Sequence, residues 1–301
     1  LRYATQVDTK GYPKVLAYLK HFTAYSREET RGFDTYNISL HDLFDTYLPQ
    51  FEHAIPKATG VMCSYNGVNG SPVCANDYLL NDKVLRKWKP DAHVTTDCGA
   101  IQNMLNPPLR APSLEHAAAW ALNNGSDLEM GTTVWGDHLL SAIQHNLTTK
   151  HAVDTAFRRS YLPHFRVGRF DDPSLSDWSV FDERHIYSAR HRAIQLDAAL
   201  QGLVLLKNQD SILPLQAKTT SVVAVLGPLS QTRAGLMSDY ENDQSCFGGG
   251  HECIPTLAES IAEYSNSITT TTAMGVDIDS NRTDGIHEAL TKTCKTGQCC
   301  S

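Results

Sequence analysis

The sequence lacks any apolar run close to the roughly 20 residues that a membrane-spanning helix needs. It is also short of basic residues, because 26 Lys and Arg stand against 33 Asp and Glu and give a net charge of −7. Binding to nucleic-acid phosphates requires clustered basic side chains, and no such stripe is present. Neither the paired C-x-x-C motifs of a zinc site nor the G-x-S-x-G elbow of a serine hydrolase occurs. These absences argue against a membrane protein, a nucleic-acid partner, a zinc site and a serine hydrolase.

What is present suits a globular chain from the secretory pathway. The 301 residues, 41% of them hydrophobic, are enough for one large or two modest domains. Eight cysteines occur, several of them close in sequence. N-x-[ST] sequons stand at Asn37, Asn124, Asn146 and Asn281, and a fifth at Asn69 is weak because Pro72 follows it. Chance sequons and free cytosolic thiols are the alternative interpretation, but together the two features favour a secreted, glycosylated protein with disulfides.

The first half of the chain alternates short β-rich runs with amphipathic helices. Strands are predicted at 16–22, 60–65, 93–97 and 126–130, and helices at 39–55, 76–87 and 113–123. Pro49 is expected to kink or break the first of these helices. Such alternation predicts parallel βαβ units, which belong either to a doubly wound sheet or to half of a (β/α)8 barrel. Composition leaves both open.

A second α/β unit is predicted after a linker. Helices at 137–146 and 149–165 precede a loop-rich stretch over 168–182, which is typical of an interdomain linker. Beyond it, strands are predicted at 202–207, 221–226 and 268–273, and helices at 188–200, 255–264 and 284–293.

The candidate functional residues follow from the strand ends. In parallel α/β folds, reactive groups collect at the carboxyl edge of the sheet. The polar residues predicted there are Lys20, His21, Ser64, Tyr65, Asn66, Thr95, Thr96, Asp97, Asp127 and Glu129.

A Lys-His pair and a nearby aspartate suit the recognition of a polyol. Lys20 and His21 supply neighbouring donors for two adjacent hydroxyls, and Asp97 is available as nucleophile or base. Taken alone, Lys20 and His21 are better explained by a structural ion pair or a solvated loop. Asp97, with Gly99 nearby, is also compatible with a helix cap or a loop turn. Tyr65 can be explained by packing alone.

At these residues the sequence resembles glycoside hydrolase family 3, in its β-xylosidase branch. The matching stretches occur in the family's order and span most of the chain, at residues 15–22, 61–76, 94–100, 202–208, 213–215 and 224–228. The resemblance implies an α/β fold: the C-terminal part of a (β/α)8-type barrel over 1–167, a linker over 168–187, and the start of an α/β sandwich over 188–301.

The resemblance also implies roles for individual residues. Asp97 would be the nucleophile of a retaining glycosidase, Lys20 and His21 would bind sugar hydroxyls, and Tyr65 would lie beside the nucleophile. Cys63 and Cys74 would form a disulfide. Cys98 follows the nucleophile where glucosidase-like members carry Trp, which favours a pentose substrate.

Some positions depart from the family pattern. The usual partner of Cys98 is missing from residues 127–131, so Cys98 is expected to be a free thiol. Thr30 and Thr35 stand where relatives tend to have Trp and Arg. Parts of the barrel and the general acid/base Glu are expected to lie outside this chain, and no acid/base residue is nominated.

The resulting hypothesis is a piece of a secreted exo-β-xylosidase that acts on oligosaccharides or aryl glycosides. No metal or organic cofactor is expected, because two carboxylates suffice for this reaction. An α-L-arabinofuranosidase is a near alternative, and a non-catalytic sugar-binding pseudoenzyme is an alternative of another class. An incomplete barrel would leave strand edges unpaired, so poor folding or self-association is expected.

Overall fold

The computed structural model describes residues 6–107, 109–216, 218, 220–237, 246 and 250–295. The chain divides into two units, Leu1–Arg192 and Ala193–Ser301. The boundary between them falls inside a helix, so the division at 167 and 188 stays a prediction. No helix among the described residues is long and apolar enough to cross a bilayer.

The strands are short and the helices mostly lie in the first unit. The strands are β1 Tyr18–Phe22, β2 Thr35–Tyr36, β3 Gly60–Cys63, β4 Gly67–Val68, β5 Ser71–Pro72, β6 His93–Thr96, β7 Val222–Leu226 and β8 Thr269–Ala273. The α-helices are α1 Leu40–Asp42, α2 Pro49–Ala54, α3 Leu85–Trp88, α4 Ala100–Asn103, α5 Leu114–Asn123, α6 Val134–Gln144, α7 Lys150–Arg166, α8 Ala189–Gly202, α9 Leu257–Tyr264 and α10 Ile286–Lys295.

A parallel three-stranded sheet organises the first unit. Its order is β1-β3-β6, with Leu19 opposite Val61 and Val61 opposite Val94. β6 is buried along its whole length, as expected for a parallel strand covered on both faces. The first residue of β3 is a glycine, Gly60, because a Cβ at this position would collide with the His93 carbonyl on the neighbouring strand.

The predicted fourth strand at 126–130 is wrong. In the described residues this segment makes only a single β-bridge, between Leu128 and Thr95. The Asp127 side chain accepts a hydrogen bond from the Val94 amide, which in a regular sheet would donate to the backbone of the neighbouring strand. Gly125 and Gly131 bracket the segment with left-handed φ values of 114° and 80°, which turn the chain away on both sides.

Helix starts agree well with the predictions, whereas helix continuity does not. Ser113 and Thr149 cap α5 and α7 by accepting hydrogen bonds from the His116 and Ala152 amides. The helix predicted from Ser39 is interrupted, as expected, and α2 begins afresh at Pro49. The helix predicted over 76–87 is wrong, because it divides at Val84 into a π-turn, Tyr78–Asp82, and α3.

The core of the first unit lies between the sheet and the short helices around it. The Phe22 and Phe51 rings meet edge to face with centroids 5.0 Å apart. The largest fully buried side chains belong to this cluster: Phe22, Leu43, Leu48, Ile55, Leu79, Leu80, Leu85, Ile101 and Met104.

Residues 168–187, predicted to be a linker, carry three short 3₁₀ turns, Pro173–Leu175, Asp177–Val180 and Glu183–His185. An early segment of the chain holds them within the first unit. The Tyr12 hydroxyl donates to Asp171 at 2.8 Å, and the Trp178 indole donates to the Tyr12 carbonyl at 3.1 Å.

The second unit contains a parallel pair of strands, β7 and β8, with Val222 opposite Thr269 and Leu226 opposite Ala273. Thr256 and Glu259 form a capping box at the start of α9. The predicted strand at 202–207 is wrong. This segment forms no strand among the described residues, and Leu203 and Leu206 are 76% and 91% exposed.

His93 gives the first unit a pH-dependent stability. Its Nδ1 lies 2.6 Å from the Tyr18 hydroxyl and its Nε2 lies 3.1 Å from the Ser160 hydroxyl. Burial, with the charges of Arg86 and His164, lowers the pKa of His93 to about 4. Since an unfolded histidine titrates near 6.5, the unfolded chain binds the extra proton first as the pH falls. Stability is therefore complete above about pH 6.5 and declines toward pH 4.

We expect the free energy of unfolding to fall by about 2 kcal/mol when the pH is lowered from 7 to 5, because His93 is protonated first in the unfolded chain. Urea unfolding at both pH values measures this loss. His93→Gln, which keeps two polar atoms but does not titrate, should show a smaller pH dependence. An unchanged pH dependence in the variant would contradict the assignment.

Candidate active site

Three predicted site residues meet at the carboxyl edge of the β1-β3-β6 sheet. His21 lies near the end of β1, Tyr65 follows β3 by two residues, and Asp97 follows β6 directly. Parallel strands place their carboxyl ends at one edge, which explains why residues distant in sequence converge. Lys20 precedes His21 in β1, and its side chain is exposed.

Asp97 is buried, with 7% of its surface exposed. Its amide donates to the Cys63 carbonyl at 3.1 Å, and its Oδ1 accepts a hydrogen bond from the Cys98 amide at 2.8 Å. Its Oδ2 lies 3.3 Å from His21 Nε2 but has no aligned hydrogen-bond partner in the described part of the chain. A buried carboxylate oxygen in this state is costly, which suits an atom that contacts a ligand.

Asp97 does not cap the helix that follows it. Gly99 occupies the N-cap position of α4, with a left-handed φ of 75° and no side-chain cap. The Asp97 carboxylate instead faces His21, so the geometry does not support the helix-cap interpretation.

His21 is half-buried beside this carboxylate. Burial lowers its pKa below the ordinary value, and Lys20 and Arg31 lower it further, while Asp97 opposes them. At neutral pH the imidazole is therefore uncharged, with one nitrogen able to donate and the other able to accept.

Tyr65 presents its hydroxyl at the backbone next to Asp97. The hydroxyl donates to the Cys98 carbonyl at 2.8 Å. Burial and then the negative charge of Asp97 raise the pKa of Tyr65 to about 12. The phenol therefore stays protonated at neutral pH and remains a hydrogen-bond donor.

Two further residues lie near this edge: Asn66, predicted only as part of a polar strand end, and Arg31, which was not predicted. Asn66 is buried, its Nδ2 donates to the Thr23 carbonyl at 3.3 Å, and its Oδ1 has no partner among the described residues. Arg31 lies over the Tyr65 ring, with Cζ 5.0 Å from the ring centroid. Asn66 was visible as part of a polar strand end, whereas a single Arg in a charged loop carries no sequence signal.

Asp127 and Glu129, also predicted at a strand end, serve the fold. Asp127 forms a buried ion pair with Arg86 at 2.7 Å and lies 3.4 Å from Arg159. Glu129 accepts hydrogen bonds from the Val134 and Trp135 amides at 3.0 and 2.6 Å, at the start of α6. Both carboxylates are thus engaged by neighbouring backbone or guanidinium groups.

The cysteines near the site are in two states. A disulfide joins Cys63, the last residue of β3, to Cys74. Cys98 is a free, exposed thiol. A second disulfide joins Cys246 to Cys253 in the other unit. No cluster of three or more His, Cys, Asp or Glu that could hold a metal ion occurs in the residues the structure covers.

The sequons differ in accessibility. Asn37, Asn146 and Asn281 are exposed, whereas Asn124 is half-buried. The Nδ2 of Asn124 donates to the Trp120 carbonyl at 2.9 Å, so the amide nitrogen that carries a glycan is already engaged.

Comparisons with known proteins identify the family of this chain. The model of the family described as "Glycosyl hydrolase family 3 N terminal domain" matches residues 2–161. A probable exo-1,4-beta-xylosidase bxlB of Aspergillus flavus is 35% identical over 288 residues, which are 92% of this chain and 35% of that protein. A probable beta-D-xylosidase 6 of Arabidopsis thaliana is 35% identical over 240 residues, covering 77% of this chain and 30% of that protein.

Solved structures give the same grouping. A GH3 exo-beta-xylosidase (XlnD), solved with a xylobiose aziridine activity-based probe, matches with a TM-score of 0.77 and 29% identity, over 95% of this chain and 36% of that one. A beta-glucosidase from Listeria innocua, solved with isofagomine, matches with a TM-score of 0.71 and 25% identity, over 93% and 38%. This chain thus spans about a third of the length of the curated relatives.

The family model covers more than half of the chain, and it includes the edge where His21, Tyr65 and Asp97 meet. The mixed α/β fold also matches the solved structures of the family. This chain therefore belongs to glycosyl hydrolase family 3.

Proposed function

We propose that this chain is part of a retaining exo-glycosidase that releases non-reducing terminal β-D-xylosyl residues from xylo-oligosaccharides. The observation that carries the proposal is the buried Asp97 carboxylate, whose Oδ2 lacks a hydrogen-bond partner in the described residues and lies 3.3 Å from His21. The likeness to xylosidases, at 34–36% identity, supports the pentose.

In the proposed mechanism Asp97 attacks the anomeric carbon of the terminal sugar. The bond to the leaving-group oxygen breaks, and a covalent glycosyl-Asp97 intermediate forms. Water then hydrolyses this ester, and the anomeric configuration is retained. A second carboxylic acid must protonate the leaving group, and we assign that role to no residue of this chain.

The neighbouring side chains are proposed to hold the sugar. Lys20 and His21 would bind adjacent hydroxyls at the end of β1, and Tyr65 would donate from its protonated phenol beside the nucleophile. Oligosaccharides and aryl glycosides are the proposed substrates. The chemistry of two carboxylates requires no metal or organic cofactor.

Trapping with a 2-deoxy-2-fluoro-β-xyloside that bears a dinitrophenyl leaving group tests this proposal. Such a leaving group departs without protonation, so the test needs only a folded sugar site and a competent nucleophile. We expect peptide mass spectrometry to find the adduct on Asp97. The matching arabinofuranosyl reagent tests the α-L-arabinofuranosidase alternative. Absence of an adduct both here and on a chain of the relatives' full length would favour the pseudoenzyme.

The finer architecture belongs to the same proposal. We propose that 1–167 is part of a (β/α)8-type barrel, that 168–187 is a linker, and that 188–301 begins an α/β sandwich. The three-stranded parallel sheet and the β7-β8 pair are compatible with these assignments.

We also propose that the chain self-associates when it is expressed alone. Leu203, Val204 and Leu206 are exposed by 76%, 76% and 91%, and contiguous apolar patches of this kind promote association. Analytical ultracentrifugation should therefore find oligomers at micromolar concentration. A monomer with one sharp, cooperative unfolding transition would contradict this expectation.

We propose that the protein is secreted and carries N-linked glycans at Asn37, Asn146 and Asn281. The folded chain should carry none at Asn124, whose amide donates to Trp120. Ser126 of the same sequon is also buried, and its hydroxyl donates to the Cys74 carbonyl at 2.7 Å. Enzymatic deglycosylation in ¹⁸O water, followed by peptide mass spectrometry, reads the occupancy. Full occupancy at Asn124 in folded protein would contradict the expectation.

A further inference from the structure

The two side chains that flank Asp97 are each packed by a residue from the loop after β1. The Tyr25 ring lies against the His21 ring, with centroids 5.0 Å apart and an interplanar angle of 34°. The Arg31 guanidinium lies over the Tyr65 ring at 5.0 Å. Each contact restricts the orientation of a ring that faces the carboxylate.

Glu28 joins these two contacts. One of its carboxylate oxygens accepts a hydrogen bond from the Tyr25 hydroxyl at 2.5 Å, and the other pairs with Arg31. Three residues of one loop are therefore linked to each other and to the two residues that approach Asp97. We call Tyr25, Glu28 and Arg31 the bracket.

The loop that carries the bracket is itself tied to the element after Asp97. Gly32 lies against the side chain of Asn103 at the end of α4, so that a Cβ there would lie 3.3 Å from Asn103 Nδ2. The Arg31 amide donates to the Glu28 carbonyl, which closes a turn within the loop. The bracket thus lies between β1 on one side and α4 on the other.

Stability alone does not account for this arrangement. The Glu28 and Arg31 side chains are 62% and 44% exposed, and an exposed ion pair contributes little to stability. A cation over an aromatic ring at such a site contributes a similar amount. The value of these contacts lies in fixing geometry, because a small misplacement at a reacting centre can cost much more in rate.

We propose that Tyr25, Glu28 and Arg31 are positioning residues that hold His21 and Tyr65 in place beside Asp97. The inference rests on the proposed function, since it concerns the glycosylation of Asp97. The bracket residues act through His21 and Tyr65 and are not assigned a contact with the sugar.

The kinetic test compares bracket variants with matched variants of the same loop. Glu28→Ala and Arg31→Ala should each lower the rate constant for trapping Asp97 by about tenfold, with the reversible binding constant changed less than about threefold. Glu28→Gln, which keeps an acceptor oxygen, should recover part of the rate. Arg27 and Glu29 form an exposed ion pair of the same loop, 3.8 Å apart and outside the bracket. Glu29→Ala and Arg27→Ala should therefore each leave the trapping rate constant within about twofold of wild type.

A second measurement does not depend on activity. Arg31 contributes to the lowered pKa of His21, so Arg31→Ala should raise the pKa of His21 while Arg27→Ala leaves it unchanged. NMR titration of histidine-labelled chain reports this directly, with the His21 signal identified by its absence in His21→Gln. Glu28→Ala should move the same signal at fixed pH, because the Tyr25 ring loses its anchor.

These two measurements separate the possible failures. If wild-type Asp97 is trapped neither in this chain nor in a chain of the relatives' full length, the proposed function is overturned, and the NMR comparison still decides on the bracket. An unchanged His21 signal and titration in both Glu28→Ala and Arg31→Ala would overturn the bracket, even if wild-type Asp97 is trapped. Equal loss of rate in the Glu29→Ala and Arg27→Ala controls would overturn it as well.

Discussion

Asp97→Asn is expected to lower the rate of covalent trapping at least about 10³-fold, because an amide cannot replace the carboxylate as the attacking nucleophile. The substitution keeps the shape of the side chain, and its remaining oxygen can still accept from the Cys98 amide. The fold should therefore persist, and the unfolding midpoint in urea provides the check. Asp45→Asn, at an exposed carboxylate of the same unit, is the matched control and should be trapped at the wild-type rate.

A chemical rescue distinguishes loss of the nucleophile from loss of the sugar site. Asp97→Ala leaves a space where the carboxylate was, which a small anion such as azide can occupy. With a dinitrophenyl β-xyloside, azide should attack the anomeric carbon, expel dinitrophenolate and yield the α-xylosyl azide. Rescue with this inverted product supports Asp97 as the nucleophile. Full trapping of Asp97→Asn, or an adduct on another residue, would contradict the assignment.

Asp127→Asn is expected to destabilise the chain by about 3 to 5 kcal/mol. Asp127 is 4% exposed and Arg86 is 8% exposed, so removing the carboxylate leaves a buried guanidinium without its counter-charge. The same carboxylate accepts from the Val94 amide and lies 3.4 Å from Arg159, so its loss affects β6 and α7 together. Since domains are stable by only about 5–15 kcal/mol, this is a large fraction of the total.

The control for Asp127→Asn is Asp91→Asn. Asp91 pairs with Arg166 at 2.5 Å, but both side chains are more than a third exposed, so its loss should cost less than about 1 kcal/mol. Urea unfolding of both variants measures the difference. Adding Arg86→Met to Asp127→Asn should recover part of the stability, because it removes the uncompensated charge. Equal costs at positions 127 and 91 would show that the buried pair does not hold the sheet and α7 together.

The sequence determined the local features of this protein because they depend on neighbouring residues. The caps at Ser113 and Thr149 were predictable, since each hydroxyl needs only the amide three residues ahead. The break at Pro49 follows from its missing N–H. The run from Thr95 to Asp97 predicted a buried strand ending in a carboxylate, and this is what β6 and Asp97 provide.

Only the tertiary structure decided what each polar strand end does. Asp97 and Asp127 are both carboxylates of predicted strands, yet one faces His21 and the other pairs with Arg86, which lies in α3, 41 residues earlier in the chain. The outcome at 126–130 and 202–207 also depended on tertiary structure. The first segment bonds to β6 through a single β-bridge, and the second forms no strand among the described residues. The bracket was invisible in the sequence, because the Arg31 contact with Tyr65 joins a charged loop to a residue 34 positions later. Pairing and charge compensation depend on residues brought together by folding, and local sequence patterns do not specify those neighbours.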